Sequence, residues 1–533
     1  MDIPYIYLNF ETTMMYKFLI GLLFVIIIPG QLKSQILPKE GALLHYRLIG
    51  FSVAIIKEVS NYKIEIAKGY FSQEEPFKKN IIQSLNGKNN KNILEVPSFG
   101  CQYTWRVVYS IGKSEITKSG FHHFSTLMDP KVDTAITRCR IIKPAANYKD
   151  AYVFYDGTRT LYDMNGHPVW YLPSVKGLRN DENVELCDIK LSPAGTITFI
   201  LGDQACEINY NGEITWKAPD NGIVSGDSIE HYHHEFTRLN NGHYMAIGNE
   251  FTLFNNNPSS PKDSILQLLY GKKVIRDSLL SYMKRGYMQM PFGTIIEYNE
   301  KGDVVWFWKL SKYFRETEVD YYKPPALRGG FEPHQNSFFF DEKNQAVYIS
   351  LRNLSRIIKV KYPEGNVINN YGLIYKNNVP IKGDDLFCQQ HSPRISRKGN
   401  LYLFNNNSCN ESEAIPKITI LQEPASDKEK LKKIWEYDCA AGGDFKKTIA
   451  TGGNVVELPD QSMFVCMGKQ YGTTFIVSPD KKILWSAIPE TWNADKNKWE
   501  MIPQYRASII SSRKELEQLI WNDEQLPVPA PAH

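Results

Sequence analysis

From about residue 37 to 126 apolar and polar residues alternate in short runs, the period of strands half-buried against a core rather than of helices. In YTWRVVYSIGKSEITKSGFHHFST, Tyr103, Trp105 and Val107 share one strand face, a turn follows at Gly112-Lys113, and Phe124 closes the pattern. These features predict the last two strands of a small, fibronectin type III-like β-sandwich over residues 36–127. Residues 128–150 read as a linker.

A different pattern then repeats. LYDMNGHPVWYL, INYNGEITWKA, IEYNEKGDVVWFW and IVSPDKKILWSA each place a turn of Asn, Asp or Gly shortly before a tryptophan, at Trp170, Trp216, Trp306 and Trp485. KVKYPEGNVINNY, with Asn in the tryptophan's place, and KIWEYD around Trp435 complete six copies. Later units open on a second recurring hairpin: CDIKLSPAGTITFI, HEFTRLNNGHYMAI, HQNSFFFDEKNQAVYIS, HSPRISRKGNLYLF and GNVVELPDQSMFVC. A lone four-stranded sheet cannot bury both faces, so such units are stable when arranged radially. The expected fold class is all-β, a six-bladed β-propeller over 151–520, followed by a tail over 521–533. Blades would start near 151, 187, 234, 334, 391 and 453. In the third, the segment around 262–290 has apolar residues at helical spacing and no repeat partner; it reads equally as a lid beside a site or as a surface excursion.

Composition reinforces the strand reading, with 31 Tyr, 26 Phe and 10 Trp. With 62 bases against 58 acids and no basic run, nothing calls for a nucleic-acid partner. Near the N-terminus, Lys17 precedes an apolar run from Phe18 to Ile28 and a Pro-Gly break. The run is shorter than the ~20 residues that span a bilayer, so residues 1–35 read as a secretory signal, cleaved near Ser34, with no stable membrane insertion afterwards. Met14 or Met15 would also serve as the start. Export implies an oxidising compartment in which the 8 cysteines could pair. Cys388 and Cys409 stand nearly opposite each other across the turn at 397–399, and a bridge there would brace that hairpin.

Candidate chemistry follows from the repeat. Aligning the hairpin glycines Gly242 and Gly399 puts His234 and His391 in one position, eight residues upstream of each, and His334 opens the fourth hairpin at the corresponding place. Inner strands of a propeller line its central channel, so equivalent positions on neighbouring blades converge on the axis. His231 and His233 lack this register and read as entry-loop residues. Arg352 lies 18 residues after His334, on the expected neighbouring antiparallel strand, where its planar fork of donors suits an oxyanion. Asn336 shares a strand face with His334 by the two-residue period and could donate to the same anion. Three imidazoles could hold zinc, but neither a His-Glu-x-x-His helix nor a clustered carboxylate is present. Metal-free transfer of an anion is the alternative.

The stretches HHEFTRLNNG, HQN…SLRN and QHSPRISRKGNLYLFNN resemble the bacterial arylsulfate sulfotransferases, periplasmic six-bladed propellers with an N-terminal β-sandwich, over nearly the whole mature chain. The resemblance implies transfer of a sulfuryl group from an aryl sulfate donor to a phenolic acceptor through a sulfohistidine, with no cofactor, no metal and ping-pong kinetics. It makes His391, after Gln390, the nucleophile. His334 and Arg352 would hold the sulfuryl oxygens, Asn336 would be a polar partner, and His234 an acid/base. Tyr505, in IPQYRAS, and His233 would contact substrate. The chain could also pair as a homodimer through its sandwich or the segment around 262–290. The rival readings are a propeller that binds a ligand or glycan without chemistry, and a zinc- or quinone-dependent enzyme.

Overall fold

The computed structural model describes residues 36–522, apart from 58, 113, 179–182, 227–228, 256–286, 317–332, 377–378, 410–413, 426–428 and 441–450. The signal segment 1–35, most of the segment around 262–290 and the tail from 523 lie outside the described residues. Among the described residues, no helix is long and apolar enough to cross a membrane. The chain forms two units: a smaller one of residues up to 42, 50–94 and 102–125, and a larger one of 43–49, 95–101 and 126 onward.

In the smaller unit Asn61–Lys68 pairs with Ile81–Gly87 on one side and Gln102–Ile111 on the other. His122–Thr126 and Ser114–Lys118 both pair with Gln102–Ile111, the latter through the turn at Gly112. Tyr103, Trp105 and Val107 are buried on one face, with the Trp105 ring 5.0 Å from Phe51. The opposite face is buried as well, by the short helix Glu74–Lys79. There Arg106 lies over Phe77, pairs with Glu65 at 2.8 Å, and also reaches Glu74.

The larger unit contains six sheets built on four-stranded blades. Blade two is Leu186–Leu191, Ile197–Leu201, Gln204–Ile208 and Ile214–Lys217; blade three runs from Phe236–Arg238 to Val304–Lys309. Blade four runs from Gln335–Asp341 to Val367–Tyr371, and blade five from His391–Ile395 to Lys432–Asp438. Blade one takes its innermost strand, Ala507–Ile510, from the end of the chain, against Tyr152–Tyr155. From blade one to two and onward to six and back to one, an inner strand touches the inner or second strand of its neighbour, which closes the ring. The protein is therefore an all-β propeller of six blades. Blade six, opening at Asn454–Glu457, is wider than expected. Its strand Ile483–Asn493 also pairs with Lys498–Met501 and with Thr137–Lys143, so the segment read as a linker supplies a strand.

Second strands such as Ile197–Leu201 and Ala346–Leu351 are buried along their whole length. The cause is radial packing, because apolar layers fill the gaps between blades. Ile295 and Trp308 of blade three pack with Phe338 and Ile349 of blade four, and Phe464 and Trp485 of blade six with Val153 and Tyr162 of blade one.

The tryptophan repeat has a specific task. Most of its indoles reach the turn of the next blade: Trp170 Nε1 donates to Tyr210 O at 3.0 Å, Trp306 to Pro363 O at 2.8 Å, Trp435 to Pro479 O at 3.0 Å and Trp485 to Met164 O at 3.0 Å, and Trp308, two residues beyond Trp306, adds a bond to Gly365 O at 3.1 Å. Trp216 instead stacks on Tyr244 of blade three, 3.8 Å between centroids. A second set of latches surrounds the axis. Asp156 accepts the N–H groups of Asp188 and Ile189, Asp188 that of Phe236, Glu235 that of Phe338, and the Ser337 hydroxyl that of Ser392. Asn454 bonds both backbone groups of Ala507. A buried N–H left unpaired would cost about 1–3 kcal/mol, so each latch fixes where an inner strand begins.

Candidate active site

The inner strands enter with a bend. His234 and His334 sit just before their strands in the left-handed region, at φ 63° and 55°, and His391 is the first residue of its strand, followed by Ser392 at φ 52°. Pairing is interrupted between Gln335 and Ser337 and between His391 and Arg394. Such bulges re-aim side chains, and a left-handed L-residue costs roughly 1–2 kcal/mol, which the interblade latches offset.

The bend brings the three imidazoles to one place. The His234 and His334 rings meet edge to face at 5.0 Å. Tyr505, just before the closing strand, lies 5.6 Å from the His234 ring and 6.3 Å from the His391 ring. His233 is also adjacent, its Nδ1 2.5 Å from His234 Nδ1, so one hydrogen is shared between them. His231 lies on the entry loop at φ 36°. The other described histidines stand elsewhere: His45 is buried on Tyr210 O, His243 pairs with Glu297, His167 with Asp163, and His122 and His123 with Glu40.

His391 is the most enclosed of the three, 1 % exposed. Asn406 sets its proton. Asn406 Nδ2 donates to Gly452 O at 3.0 Å, which turns Oδ1 to His391 Nδ1 at 2.6 Å. An amide oxygen only accepts, so Nδ1 carries the hydrogen and Nε2 keeps its lone pair. Burial first, and then the Arg352 guanidinium, hold this imidazole well below its ordinary pKa, against the opposing pull of Asn406. His234 is likewise held neutral, by burial and then by His233 and His334.

Arg352 is not on the strand Ala346–Leu351 but begins the 3-10 turn after it, because pairing ends at Gln335–Leu351. Its backbone N–H donates to His334 O at 2.9 Å, so the two residues are tied at the same blade end. Its guanidinium reaches Asn353 Oδ1 at 3.1 Å and Gln389 Oε1 at 3.3 Å. Asn336 falls in the bulge and is buried; its Nδ2 donates to Gln390 O at 2.8 Å, bracing the residue before His391. The Tyr505 hydroxyl is buried without a hydrogen-bond partner among the described residues, and burial raises its pKa, so it remains a donor.

Two residues with a clear place here escape a repeat-based reading. Asn406 lies in the quoted FNN stretch, where two asparagines at a strand end were the available signal. Arg506 follows Tyr505 in IPQYRAS. It is 3 % exposed, pairs with Asp188 at 2.8 Å and Glu235 at 3.2 Å, and donates to Asn336 O at 3.0 Å, joining four blades. Burial would raise the Glu235 pKa, but Arg394, Arg506 and Lys190 hold it below the ordinary carboxylate value. The bridge Cys388–Cys409 is formed and ties the segment before His391 to that beyond Asn406. Among the described residues, no group of three or more His, Cys, Asp or Glu is arranged to hold a metal ion.

Residues 264–484 match the family model described as Arylsulfotransferase (ASST). This segment belongs to the arylsulfotransferase family. It holds His334, Asn336, Arg352 and His391, whereas His234 and Tyr505 lie outside it. The match indicates a sulfotransferase, an enzyme that requires a sulfuryl donor and an acceptor. No curated protein matches the chain in sequence. Among solved structures, AztD from Citrobacter koseri is 10 % identical at TM-score 0.30, covering 85 % of this chain and 100 % of its own. The Pseudomonas aeruginosa periplasmic gluconolactonase PpgL is 10 % identical at TM-score 0.26, covering 84 % and 99 %. The dihydro-heme d1 dehydrogenase NirN is 12 % identical at TM-score 0.31, covering 70 % and 78 %. With scores this low, the six-bladed ring stands on its own strand pairing.

Proposed function

We propose that this sulfotransferase moves a sulfuryl group from an aryl sulfate to a phenol in two steps, through a sulfohistidine at His391. The observation that carries the reading is the Asn406 contact, which leaves a lone pair on Nε2 of a buried, neutral imidazole near Arg352. In the first step that pair forms an N–S bond while the S–O bond to the aryl group breaks and its electrons leave on the phenolic oxygen. Nδ1–H stays on Asn406. Phenolate is the conjugate base of an acid of pKa near ~10, so a proton supplied by a neighbour assists its departure. His234 fills that role: the anionic ester raises the proton affinity of a nearby imidazole. His334, Arg352 and the Tyr505 hydroxyl stabilise charge on the peripheral oxygens, with Asn336 keeping the His391 entrance in place and His233 steadying His234. A second phenol then gives up its proton and reverses the steps, regenerating His391.

Export to the periplasm accords with residues 1–35 and with the disulfide at Cys388–Cys409. The test is p-nitrophenyl sulfate with and without an acceptor phenol. Acceptor-dependent release of p-nitrophenol, parallel initial-rate plots and a His391 peptide heavier by one SO3 group are expected. Full turnover in His391→Ala, or release that ignores the acceptor, would count against the proposal; tight binding of an aryl sulfate with no turnover would favour a binding propeller.

A further inference from the structure

We infer that the aryl group of the acceptor lies in a cavity beside Tyr505 in which Lys469 and Arg159 select phenols carrying an anionic substituent; this rests on the phenol reading above. The cavity has a volume of about 230 Å³ and is lined by Asp156, Arg159, Glu185, Lys469 and Tyr505 among others. It opens where blades one, two and six meet. Asp156 follows Tyr152–Tyr155, Leu186 starts blade two, Lys469 follows Met463–Cys466, and Tyr505 precedes Ala507–Ile510. In the antiparallel pairing these are the ends at which the inner strands begin, the same end as the histidines.

Tyr505 is the shared wall. Its ring contacts His234 and His391 and also lines the cavity, so a phenol whose oxygen approaches His391 would direct its far end there. The volume falls below the ~300–1,000 Å³ of sites for drug-sized ligands, which suits one ring with a short substituent. Lys469 Nζ stands 5.6 Å from the centre of the Tyr505 ring and pairs with Glu185 at 2.5 Å, the two side chains 40 % and 59 % exposed. An ion pair that open contributes roughly 0–1 kcal/mol, so a ligand carboxylate can displace Glu185 from it. The Arg159 guanidinium is held at the same wall by the Val184 carbonyl. Asp156 opposes an anion only weakly. Its oxygens take the N–H groups of Asp188, Ile189 and Arg506, and burial pushes its pKa up to about 7.

The experiment measures kcat/KM for 4-hydroxyphenylacetate and for 4-hydroxyphenylacetamide, with p-nitrophenyl sulfate as donor; the two acceptors differ in charge but little in shape. The carboxylate should be preferred roughly fivefold to tenfold, as one partly exposed charge contact allows. Lys469→Gln should bring the ratio toward one, and Glu185→Gln, which removes the competing carboxylate, should raise it. Circular dichroism verifies that both variants fold. Transfer with a ratio near one in the wild type, or a ratio that neither substitution moves, would overturn the inference while leaving sulfuryl transfer to phenols intact. Transfer to neither acceptor, with no p-nitrophenol released, would overturn both.

Discussion

Blades three to five and blades six, one and two meet the axis with different chemistry. The first arc presents His234, His334 and His391, with Arg352 at the end of blade four. The second presents Asn454, Arg506 and Asp188, joined to their neighbours by paired backbone bonds and ion pairs. Burial keeps His234 and His391 neutral on one side, while opposite charges saturate each other on the other. The difference teaches that the three imidazoles are confined to one arc, while the ion pairs that brace them reach across from the other. A clamp of charges stabilises the entrances from which the three histidines project, two of them in the left-handed region.

The largest break in that comparison is His391→Ala. Removing a nucleophile from a coupled set lowers turnover on the order of 10⁴-fold or more, with thermal unfolding little changed. Arg506→Met is the converse. It strands Asp188 and Glu235 as buried carboxylates without their guanidinium, and breaking such a pair costs about 3–5 kcal/mol, read from chemical denaturation. Arg352→Lys belongs with the first arc: a point charge cannot reproduce the fork, and turnover should fall by about 10²–10³-fold at nearly constant melting temperature. If Arg352→Lys unfolds the protein, or Arg506→Met leaves stability untouched, the division into arcs fails.

The two arcs were not equally legible in the sequence. The turn-and-tryptophan units declared six blades because most of the indoles have the same task on the next blade, and repetition of a contact imposes repetition of residues. The histidines showed for the same reason, since equivalent positions converge. Arg506 makes its contacts once, on a strand that joins blade one from the far end of the chain, so no repeat marks it. Thr137–Lys143 was hidden similarly: it pairs with Ile483–Asn493 across more than half the chain, and nothing local distinguishes an added edge strand from a linker. Asn406 follows its strand by one residue, where asparagine is common for turn chemistry alone.

A smaller effect concerns pH. Free imidazole near pKa 6.5 would lose about tenfold of its neutral form between pH 7.5 and 5.5. His391 is held well below that value by burial and Arg352, so p-nitrophenol release should stay within about twofold over this range. Stability moves the other way. Unfolded histidines take up protons below about pH 6.5 while the buried native ones do not, so protons favour the unfolded chain and the denaturation midpoint should drop as pH falls. A tenfold loss of rate by pH 5.5 would show that the first arc is not kept neutral.

The smallest effect separates closure from the axis altogether. Trp485 is 1 % exposed, and its indole N–H meets Met164 O across the junction between the last blade and the first. Trp435 makes the same bond to Pro479 O at an exposed junction between consecutive blades. Trp485→Phe leaves a buried carbonyl without its donor and should cost about 1–2 kcal/mol, whereas water can replace the lost donor in Trp435→Phe, for about 0.5 kcal/mol. Neither touches the imidazoles, so turnover at 25 °C should be unchanged in both. Equal shifts in melting temperature would mean that the last junction bears no more of the ring's stability than any other; a loss of turnover in either would mean that the outer girdle, and not only the charged arc, holds the histidines in place.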